Sequence, residues 1–502
     1  MIEMINFNLY TALTKCEIPA NVEISTTNFH NMFSYLRHLT SININCNNAT
    51  DISNMFYYCR NLTGNSVYGD KIINMSGAYW NCPNLTGSPV CGNNVTDMSN
   101  AYYLCSNITG SPVCGPNVTN MCDTYVQCYN LTGNPVLGDK VTDMTGTYAH
   151  CYNLTGSPIC SENIVFMSGA YMNCKNLTGS PVCGNNVISM ASTYSGCDGL
   201  TGDPVCGPNV IDMASAYWSC SNITGSPVCG PNVTNMYSAY RYSGIAGDAA
   251  CGPNVIDMYD AYSSCPNLNG NPACGPNVIN MARTYSYCYN LAGSPVCGPN
   301  VTNMYYTYYS CSNLTGSPAC GNNVINMYNT YHNCSNLTGT AACGSNVTNM
   351  DYTYYNCSNL ATAACGNNVI NMYYTYYNCS NLTTAACGPN VISMDYTYYN
   401  CVNISNFYVY SNEVSSVRGC LGNISNMTNI YVYNGSNSLS RFLNTSSSQS
   451  LVSAAIDWTN DTVNNRYYNT QYNIYIYPVN NVAEYDITKY NILTLMTNDI
   501  NS

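Results

Sequence analysis

Residues 84–105 read NLTGSPVCGNNVTDMSNAYYLC, and the chain repeats this stretch with small changes along most of its length. Residues 107–128 read NITGSPVCGPNVTNMCDTYVQC, and residues 313–334 read NLTGSPACGNNVINMYNTYHNC. A methionine marks the register, and successive marks are 23 residues apart except for three intervals of 22 and one of 20. Such a period is typical of one coil of a solenoid, because a single coil is too small to bury its own apolar side chains. The marking methionines are Met32, Met55, Met75, Met98, Met121, Met144, Met167, Met190, Met213, Met236, Met258, Met281, Met304, Met327, Met350, Met372 and Met394.

Stacking of equivalent coils places each residue type on top of itself, so that side chains form ladders along the stack. A tyrosine stands four residues after most of the methionines, and an inner cysteine ladder follows three residues later. This i, i+4, i+7 spacing predicts a helical or 3₁₀ turn, with short parallel strands at Val-Thr-Asn-Met and around Pro-Val-Cys. An outer cysteine ladder, seven residues before the methionines, contains Cys91, Cys114, Cys160, Cys183, Cys206, Cys229, Cys251, Cys274, Cys297, Cys320, Cys343, Cys365 and Cys387.

The string N-V-T-N-M-x-x-x-Y-x-x-C-x-N-L-T resembles the BspA-type leucine-rich repeat of bacterial and protist surface proteins, with tyrosine where that repeat usually carries phenylalanine. The resemblance covers about residues 31–401. It implies a leucine-rich-repeat-like solenoid with a continuous sheet on one side, a role in adhesion or surface recognition, and no catalytic residues. One departure is G-S-P-V-C in place of an alternating apolar strand, which predicts a narrower or displaced sheet. We therefore predict a repeat solenoid of about 17 coils of 22–23 residues.

The two ends of the chain depart from the repeat. Asn423–Met427 is a degenerate coil, and Ile430–Tyr433 and Tyr472–Val479 alternate in the manner of strands, which predicts a small β-rich C-terminal region. The predicted domains are an N-terminal cap at 1–31, the solenoid at 32–401, and degenerate coils with a β-rich cap or attachment module at 402–502.

The 32 cysteines would ordinarily indicate a disulfide framework and secretion. Their ladder positions instead favour packing, in which each thiol acts as a small apolar side chain. Leu137 and Ser243 replace cysteine at ladder positions, which also fits packing better than obligate bonding. Some disulfides or a bound metal remain alternatives, although the absence of any C-x-x-C pair weakens a zinc or iron–sulfur site. We expect no cofactor and no metal.

Charge and motif content argue against several classes of function. Lys plus Arg is 12 and Asp plus Glu is 24, and the net charge of −12 disfavours nucleic acid and anionic membrane as partners. No apolar stretch approaches the ~20 residues of a membrane span, so no membrane insertion is expected.

The four histidines lie at different places in their coils, and no catalytic triad or phosphate-binding loop is present. The chain is therefore predicted not to be an enzyme. A carboxylate pair for sugar hydrolysis, or a calcium ladder, remains an alternative for Asp97, Asp143, Asp212 and Asp257.

Tyrosine supplies the candidate site, because the chain has 50 of them and extra tyrosines flank the core position in the C-terminal coils. A single turn cannot point all of them inward, so at least one column should face solvent and offer rigid aromatic contact area. The alternative is that these tyrosines pack against one another between coils. Trp80 and Trp218 occupy the same flanking column earlier in the chain. The candidate ligand-binding aromatic surface consists of Tyr306, Tyr309, Tyr352, Tyr355, Tyr374, Tyr377, Tyr396 and Tyr399.

These observations predict a non-enzymatic recognition or adhesion solenoid. The first 20 residues lack the continuous apolar run of a secretory signal. This favours a bacteriophage tail or head fibre or receptor-binding protein, which is made in the cytoplasm and becomes extracellular on the virion after release. Its expected partners are a host surface glycan or protein, and other virion proteins or further copies of itself through a terminal region. The alternatives are a structural virion or lattice component, or a bacterial adhesin at the cell surface. A glycan depolymerase and an ice-binding rod are weaker hypotheses.

Overall fold

The computed structural model describes residues 7, 10–17, 26–66, 69–426 and 428–484. Parts of the predicted N-terminal cap, the Met427 that ends the predicted degenerate coil, and residues 485–502 lie outside these described residues. The chain forms two compact units, Met1–Val255 and Ile256–Ser502, and each contains a stack of coils.

Within each unit, successive coils pair through a parallel bridge at the residue before the ladder methionine. Asn74 pairs in this way with Asp97, and Asp97 pairs with Asn120. The predicted strand at Val-Thr-Asn-Met is therefore reduced to a single bridged residue in these coils. The regular parallel stacking confirms the predicted leucine-rich-repeat-like solenoid.

In the described coils that carry Pro-Val-Cys this segment is not a strand, whereas the equivalent segment Thr384–Cys387 is one. In coils such as that of Val90, the backbone of the segment forms hydrogen bonds with the hydroxyl of the core tyrosine. The Tyr102 hydroxyl accepts a hydrogen bond from the Val90 amide and donates one to the Val90 carbonyl, both at 2.9 Å. The tyrosine hydroxyl thus takes the place of the backbone hydrogen bonds that a strand would make with its neighbours. This explains why the chain carries tyrosine here and why the sheet is narrow.

The segment from methionine to cysteine is a run of β-turns, which corrects the expected helical or 3₁₀ turn. The Ala78 amide donates to Met75 within the coil at 3.0 Å, whereas the Tyr79 amide donates to Ala101 of the next coil at 2.8 Å. Gly77 and Asn81 have φ of 62° and 59°, which a right-handed helix excludes. Because alternate amides donate to the next coil, these turns bind the stack together as well as reversing the chain.

The first two coils also correct the sequence register. Phe29 and Ile52 occupy the ladder position held by Met75, because the bridges run from Asn28 to Asp51 and from Asp51 to Asn74. Met32 and Met55 lie three residues later in their coils and are not members of this ladder. Any large apolar side chain fills this buried position, so the methionine itself was not a reliable mark and the interval of 20 residues disappears.

Ladders of identical side chains make the core of each unit. The ladder methionines, tyrosines and inner cysteines are buried, together with the valine of N-V and the leucine or isoleucine of N-L. The rings of Tyr102 and Tyr125 lie 5.6 Å apart with an interplanar angle of 4°, and those of Tyr354 and Tyr376 lie 5.3 Å apart at 5°. The buried Thr124 hydroxyl donates to the Met98 carbonyl of the preceding coil at 2.9 Å. Side chains of the same type therefore stack on one another from coil to coil within each unit.

The strands lie near the ends of the described chain. The elements are β1 (Lys15–Glu17), β2 (Ser41–Asn43), β3 (Thr384–Cys387), β4 (Asn406–Val409), β5 (Thr428–Tyr433), α1 (Asn437–Phe442), β6 (Thr459–Asp461), β7 (Arg466–Asn469), β8 (Ile474–Val479) and a 3₁₀ helix (Val482–Glu484). In the first unit β1 pairs in parallel with β2, and in the second unit six strands form one sheet in the order β3-β4-β5-β8-β7-β6. Pairing is parallel from β3 to β8 and antiparallel from β8 through β7 to β6, so the hairpin of β6 and β7 ends the parallel stack with a short edge. The predicted strands at 430–433 and 472–479 fall on β5 and β8.

Within the described part of the chain, no helix has the length and apolar character needed to cross a membrane.

Candidate functional site

An outer column of stacked rings runs beside the core tyrosines of the second unit. It is formed by the residue that follows the core tyrosine in five successive coils, and each member is half-buried. The ring centroids of His332 and Tyr355 are 4.5 Å apart, and those of Tyr355 and Tyr377 are 4.9 Å apart with an interplanar angle of only 3°. The outer column consists of Tyr309, His332, Tyr355, Tyr377 and Tyr399.

A second column lies two residues after the ladder methionines and touches the outer column. The Tyr374 ring stacks on Tyr352 at 5.2 Å and on Tyr396 at 4.8 Å, and it contacts Tyr377 of the outer column at 5.2 Å. We call the two columns together the tyrosine strip. The second column consists of Tyr306, Tyr352, Tyr374 and Tyr396.

The strip contains all eight tyrosines named from the sequence, and a histidine that was regarded as isolated. His332 replaces tyrosine in the outer column, and its Nδ1 lies 2.7 Å from Oδ1 of Asn329. Asn329 in turn takes the place of tyrosine in the second column. The position of His332 five residues after Met327 was the sequence signal that could have identified it.

The tyrosines of the second column occupy an unfavourable backbone conformation. Tyr306, Tyr352 and Tyr396 have φ of 56° and Tyr374 has φ of 54°, in the left-handed region that bulky side chains rarely adopt. In the first unit, the same turn position holds glycine or a short polar residue, and of these glycine, asparagine and aspartate accept this conformation more readily. Those residues are Asn31, Asn54, Gly77, Asn100, Asp123, Gly146, Gly169, Ser192, Ser215 and Ser238. The backbone conformation of this turn therefore does not require tyrosine.

Stacking covers the ring faces of the strip, and because each tyrosine is half-buried, the exposed part of each ring is mainly its edge. At the end of the columns, the backbone of two glycines closes over the last rings. A Cβ built on Gly422 would lie 2.5 Å from the Tyr399 ring, and one on Gly419 would lie 2.7 Å from the Tyr396 ring. The sequence left two alternatives, a column that faces solvent and tyrosines that pack against one another between coils. The structure shows both features, because the rings stack between coils and are also half-exposed.

Three members of the strip have shifted pKa values that keep them uncharged near pH 7. Burial, reinforced by neighbouring phenols, raises the pKa of Tyr306 and of Tyr352 to about 12. Burial also lowers the pKa of His332 to about 4, so its imidazole is uncharged at neutral pH. The phenols of Tyr306 and Tyr352 consequently remain protonated and can donate as well as accept hydrogen bonds.

The described coils of the first unit do not form an equivalent continuous column. In successive coils the flanking position holds Val126, Ala149, Met172 and Ser195. Trp80 lies in this position as expected and contacts Tyr103 at 4.8 Å, but such aromatic contacts do not extend through these coils. Because these coils stack without the aromatic column, the column is not a requirement of the fold.

The cysteines and aspartates named from the sequence have structural explanations. In the described chain the cysteines are thiols, and the inner ladder donates to backbone carbonyls, as Cys357 does to Tyr331 at 3.1 Å. Asp97 accepts a hydrogen bond from the Ser99 amide at 2.8 Å, a turn contact that Asn120 makes with Cys122 at 2.9 Å. This shared role explains why Asp, Asn and Ser interchange at the bridge position. The described residues contain no group of three or more His, Cys, Asp or Glu arranged to hold a metal ion.

No protein-family model matches the chain, and a search of curated proteins finds no match. Among solved structures, a leucine-rich repeat protein from Bacteroides ovatus is similar over 83% of this chain and 86% of its own, at 12% identity and a TM-score of 0.36. YopM from Yersinia enterocolitica is similar over 78% of this chain and 73% of its own, at 12% identity and a TM-score of 0.35. A leucine-rich cell surface protein from Faecalibacterium prausnitzii is similar over 81% of this chain and 89% of its own, at 14% identity and a TM-score of 0.29. These low scores carry no conclusion about function.

Proposed function

We propose that the chain is a non-enzymatic recognition solenoid that binds a protein on a host surface through the tyrosine strip. The observation that carries this proposal is the tyrosine at left-handed turn positions such as Tyr352 and Tyr374, where the coils of the first unit use Asn, Gly, Asp or Ser. A bulky ring at such a position costs backbone free energy. These rings lie beside the half-exposed outer column, and contact with a binding partner best explains why the chain carries tyrosine there.

The geometry of the strip favours a protein partner over a glycan. Sugar rings bind best to open aromatic faces, whereas the faces in the strip are covered by neighbouring rings at 4.8–5.2 Å in the second column. What remains is a rigid, uncharged row of ring edges and phenol hydroxyls. Such tyrosines lose little side-chain entropy on binding, and they combine apolar contact with hydrogen bonding, as in protein-binding interfaces.

We further propose that this recognition solenoid is part of a bacteriophage tail or head fibre, as a receptor-binding protein. Most of the cysteines pack as thiols in two ladders, which suits folding in a reducing compartment such as the cytoplasm in which virions assemble. In this proposal residues 1–31 cap the stack, and residues 402–502 attach it to other virion proteins. An antibody against the chain should label purified particles at a projecting fibre in electron microscopy. Labelling of host cell envelopes in place of particles would favour the adhesin alternative.

Binding to intact bacterial cells tests the role of the strip. The variant Tyr355→Ser/Tyr377→Ser/Tyr399→Ser empties three successive positions of the outer column, and Ser286 occupies the equivalent position of an earlier coil. The matched control is Tyr129→Ser/Tyr152→Ser in the first unit, which removes a stacked pair with a centroid distance of 5.1 Å outside the strip. Fluorescently labelled chains are compared on a panel of cells, with thermal unfolding as a check on folding.

The wild-type chain and the control should bind the same cells, and the strip variant should lose at least about tenfold in affinity, as expected for truncation of central aromatic anchors. Protease treatment of the cells should abolish binding, whereas periodate treatment should leave it unchanged. Equal binding by the strip variant would contradict the site. Sensitivity to periodate alone would contradict the protein partner, and release of sugar from the cells would contradict the non-enzymatic assignment.

A further inference from the structure

The outer cysteine ladder of the second unit differs from the inner ladder in exposure and in its neighbours. Cys320, Cys343 and Cys365 are half-buried, whereas the inner Cys334 and Cys357 are buried. Packing alone does not require thiol at these outer positions, because Leu137 takes the equivalent place in the first unit.

Each of these three outer thiols lies against the thioether of its own coil. The sulfur–sulfur distance is 3.4 Å between Cys320 Sγ and Met327 Sδ, and 3.5 Å between Cys343 Sγ and Met350 Sδ. Cys365 Sγ and Met372 Sδ are 3.6 Å apart. Three successive coils therefore place thiol and thioether side by side, and we call these six residues the sulfur row.

The sulfur row is also continuous between coils. The Gly366 amide donates to Cys343 Sγ at 3.2 Å, and the Gly388 amide donates to Cys365 Sγ at 3.0 Å. Glycine permits this approach, since a Cβ on Gly366 would lie only 2.9 Å from Cys343 Sγ. Burial raises the pKa of the Cys343 thiol to about 11, and the Gly366 amide opposes only part of this rise, so the thiolate forms when a bound cation displaces the proton.

The coil spacing suits a metal held between two thiolates. Equivalent rings in these coils, such as those of Tyr354 and Tyr376, are 5.3 Å apart. Two metal–sulfur bonds of about 2.3 Å each span nearly this distance, so that a small side-chain adjustment joins successive thiolates. Thiolate and thioether ligands together select soft cations, above all copper(I).

We propose that the sulfur row binds soft monovalent cations, copper(I) or its analogue silver(I), between the thiolates of successive coils with the methionine thioethers alongside. Each thiol that binds the cation releases its proton to solvent. The site is separate from the tyrosine strip, so it adds a second binding property to the proposed recognition function and does not depend on it.

Competition for copper(I) tests the proposal on the full, reduced chain under anaerobic conditions, with bathocuproine disulfonate as the competing chelator. The test variant is Cys320→Leu/Cys343→Leu/Cys365→Leu, for which Leu137 is the natural precedent. The control is Cys334→Ser/Cys357→Ser/Cys379→Ser in the inner ladder, for which Ser243 is the precedent. A third variant, Met327→Leu/Met350→Leu/Met372→Leu, retains the thiols and removes the thioethers.

The wild-type chain should withdraw copper from the chelator and develop an ultraviolet sulfur-to-copper charge-transfer band. The outer cysteine variant should lose the tightest binding phase, the inner control should keep it, and loss of the thioethers should weaken it by at least about tenfold. Failure of the wild-type chain to compete would overturn the proposal, as would undiminished binding by the outer cysteine variant.

A second measurement on the wild-type chain covers the case in which a variant does not fold. Silver(I) is added in one to three equivalents, and the cysteines are then alkylated and mapped by mass spectrometry. Protection of Cys320, Cys343 and Cys365 before the outer cysteines of the first unit is expected. Protection that is absent, or spread evenly over the outer cysteines of both units, would overturn the assignment to the sulfur row.

Discussion

Tyr354 and Tyr355 are neighbours in the chain, yet they belong to different regions of the molecule. Tyr354 is buried in the core ladder, and its hydroxyl accepts from the Ala342 amide at 3.0 Å and donates to the Ala342 carbonyl at 2.6 Å. Tyr355 is half-exposed in the outer column, where it stacks on Tyr377. The core tyrosine thus completes the backbone of its own coil, whereas the outer tyrosine stacks only on other side chains.

This difference separates folding from recognition. Core rings recur in the described coils of both units, while the outer column is restricted to coils of the second unit. The core ladder is therefore required for the solenoid to fold, whereas the tyrosine strip is not. Substitutions that distinguish the two regions test this division.

The largest effect is expected from truncation in the core ladder. Tyr308→Ala removes a ring that is fully buried, and should lower the free energy of unfolding by about 3–5 kcal/mol because it leaves a cavity between stacked coils. Denaturant unfolding measures the change. Tyr309→Ala is the matched control in the outer column and should cost much less. A near-zero effect of Tyr308→Ala would mean that the inward face has been assigned wrongly.

A smaller effect is expected from removal of one hydroxyl. Tyr354→Phe keeps the ring but leaves the amide and carbonyl of Ala342 without this partner, which should cost about 1–3 kcal/mol. Tyr355→Phe should leave the free energy of unfolding nearly unchanged. Equal effects of the two substitutions would erase the distinction between core and outer tyrosines.

The pH dependence of stability sharpens the comparison within the outer column. The folded-state pKa of His332 is lowered from 6.5 to about 4, so the unfolded chain binds the proton more readily and stability falls as pH drops from 6.5 towards 4. The full shift corresponds to about 3 kcal/mol, and partial exposure of the ring reduces the expected loss to about 1 kcal/mol. His332→Tyr should remove this component from the pH profile. An unchanged profile would show that the imidazole is not held neutral by the stack.

The sequence predicted the core well because burial and the repeat act on the same residues. The spacing of Met350, Tyr354 and Cys357 identified three inward ladders, and all three residues are buried. The type of turn could not be predicted in this way, because a helix and a run of β-turns both place i, i+4 and i+7 on one side. Phe29 and Ile52 were missed for a related reason, since the core position selects apolar volume and not methionine itself.

The sequence predicted which tyrosines form the site but not how they are arranged. Eight tyrosines were named, but the covering of their faces and the left-handed conformation of Tyr352 depend on how coils stack and turn, which residue counts do not reveal. His332 was missed because its type differs from that of its column. The two cysteine ladders likewise looked alike in sequence, and only the fold distinguishes buried Cys357 from half-buried Cys343.

The most direct test of the division between core and outer tyrosines is hydroxyl-radical footprinting of the native chain, mapped residue by residue by mass spectrometry. Adjacent pairs such as Tyr354/Tyr355, Tyr376/Tyr377 and Tyr398/Tyr399 provide internal controls within single peptides. Oxidation should occur at the second member of each pair, and the first should stay protected until the chain unfolds. Equal oxidation of both members, or protection of the second alone, would contradict the assignment.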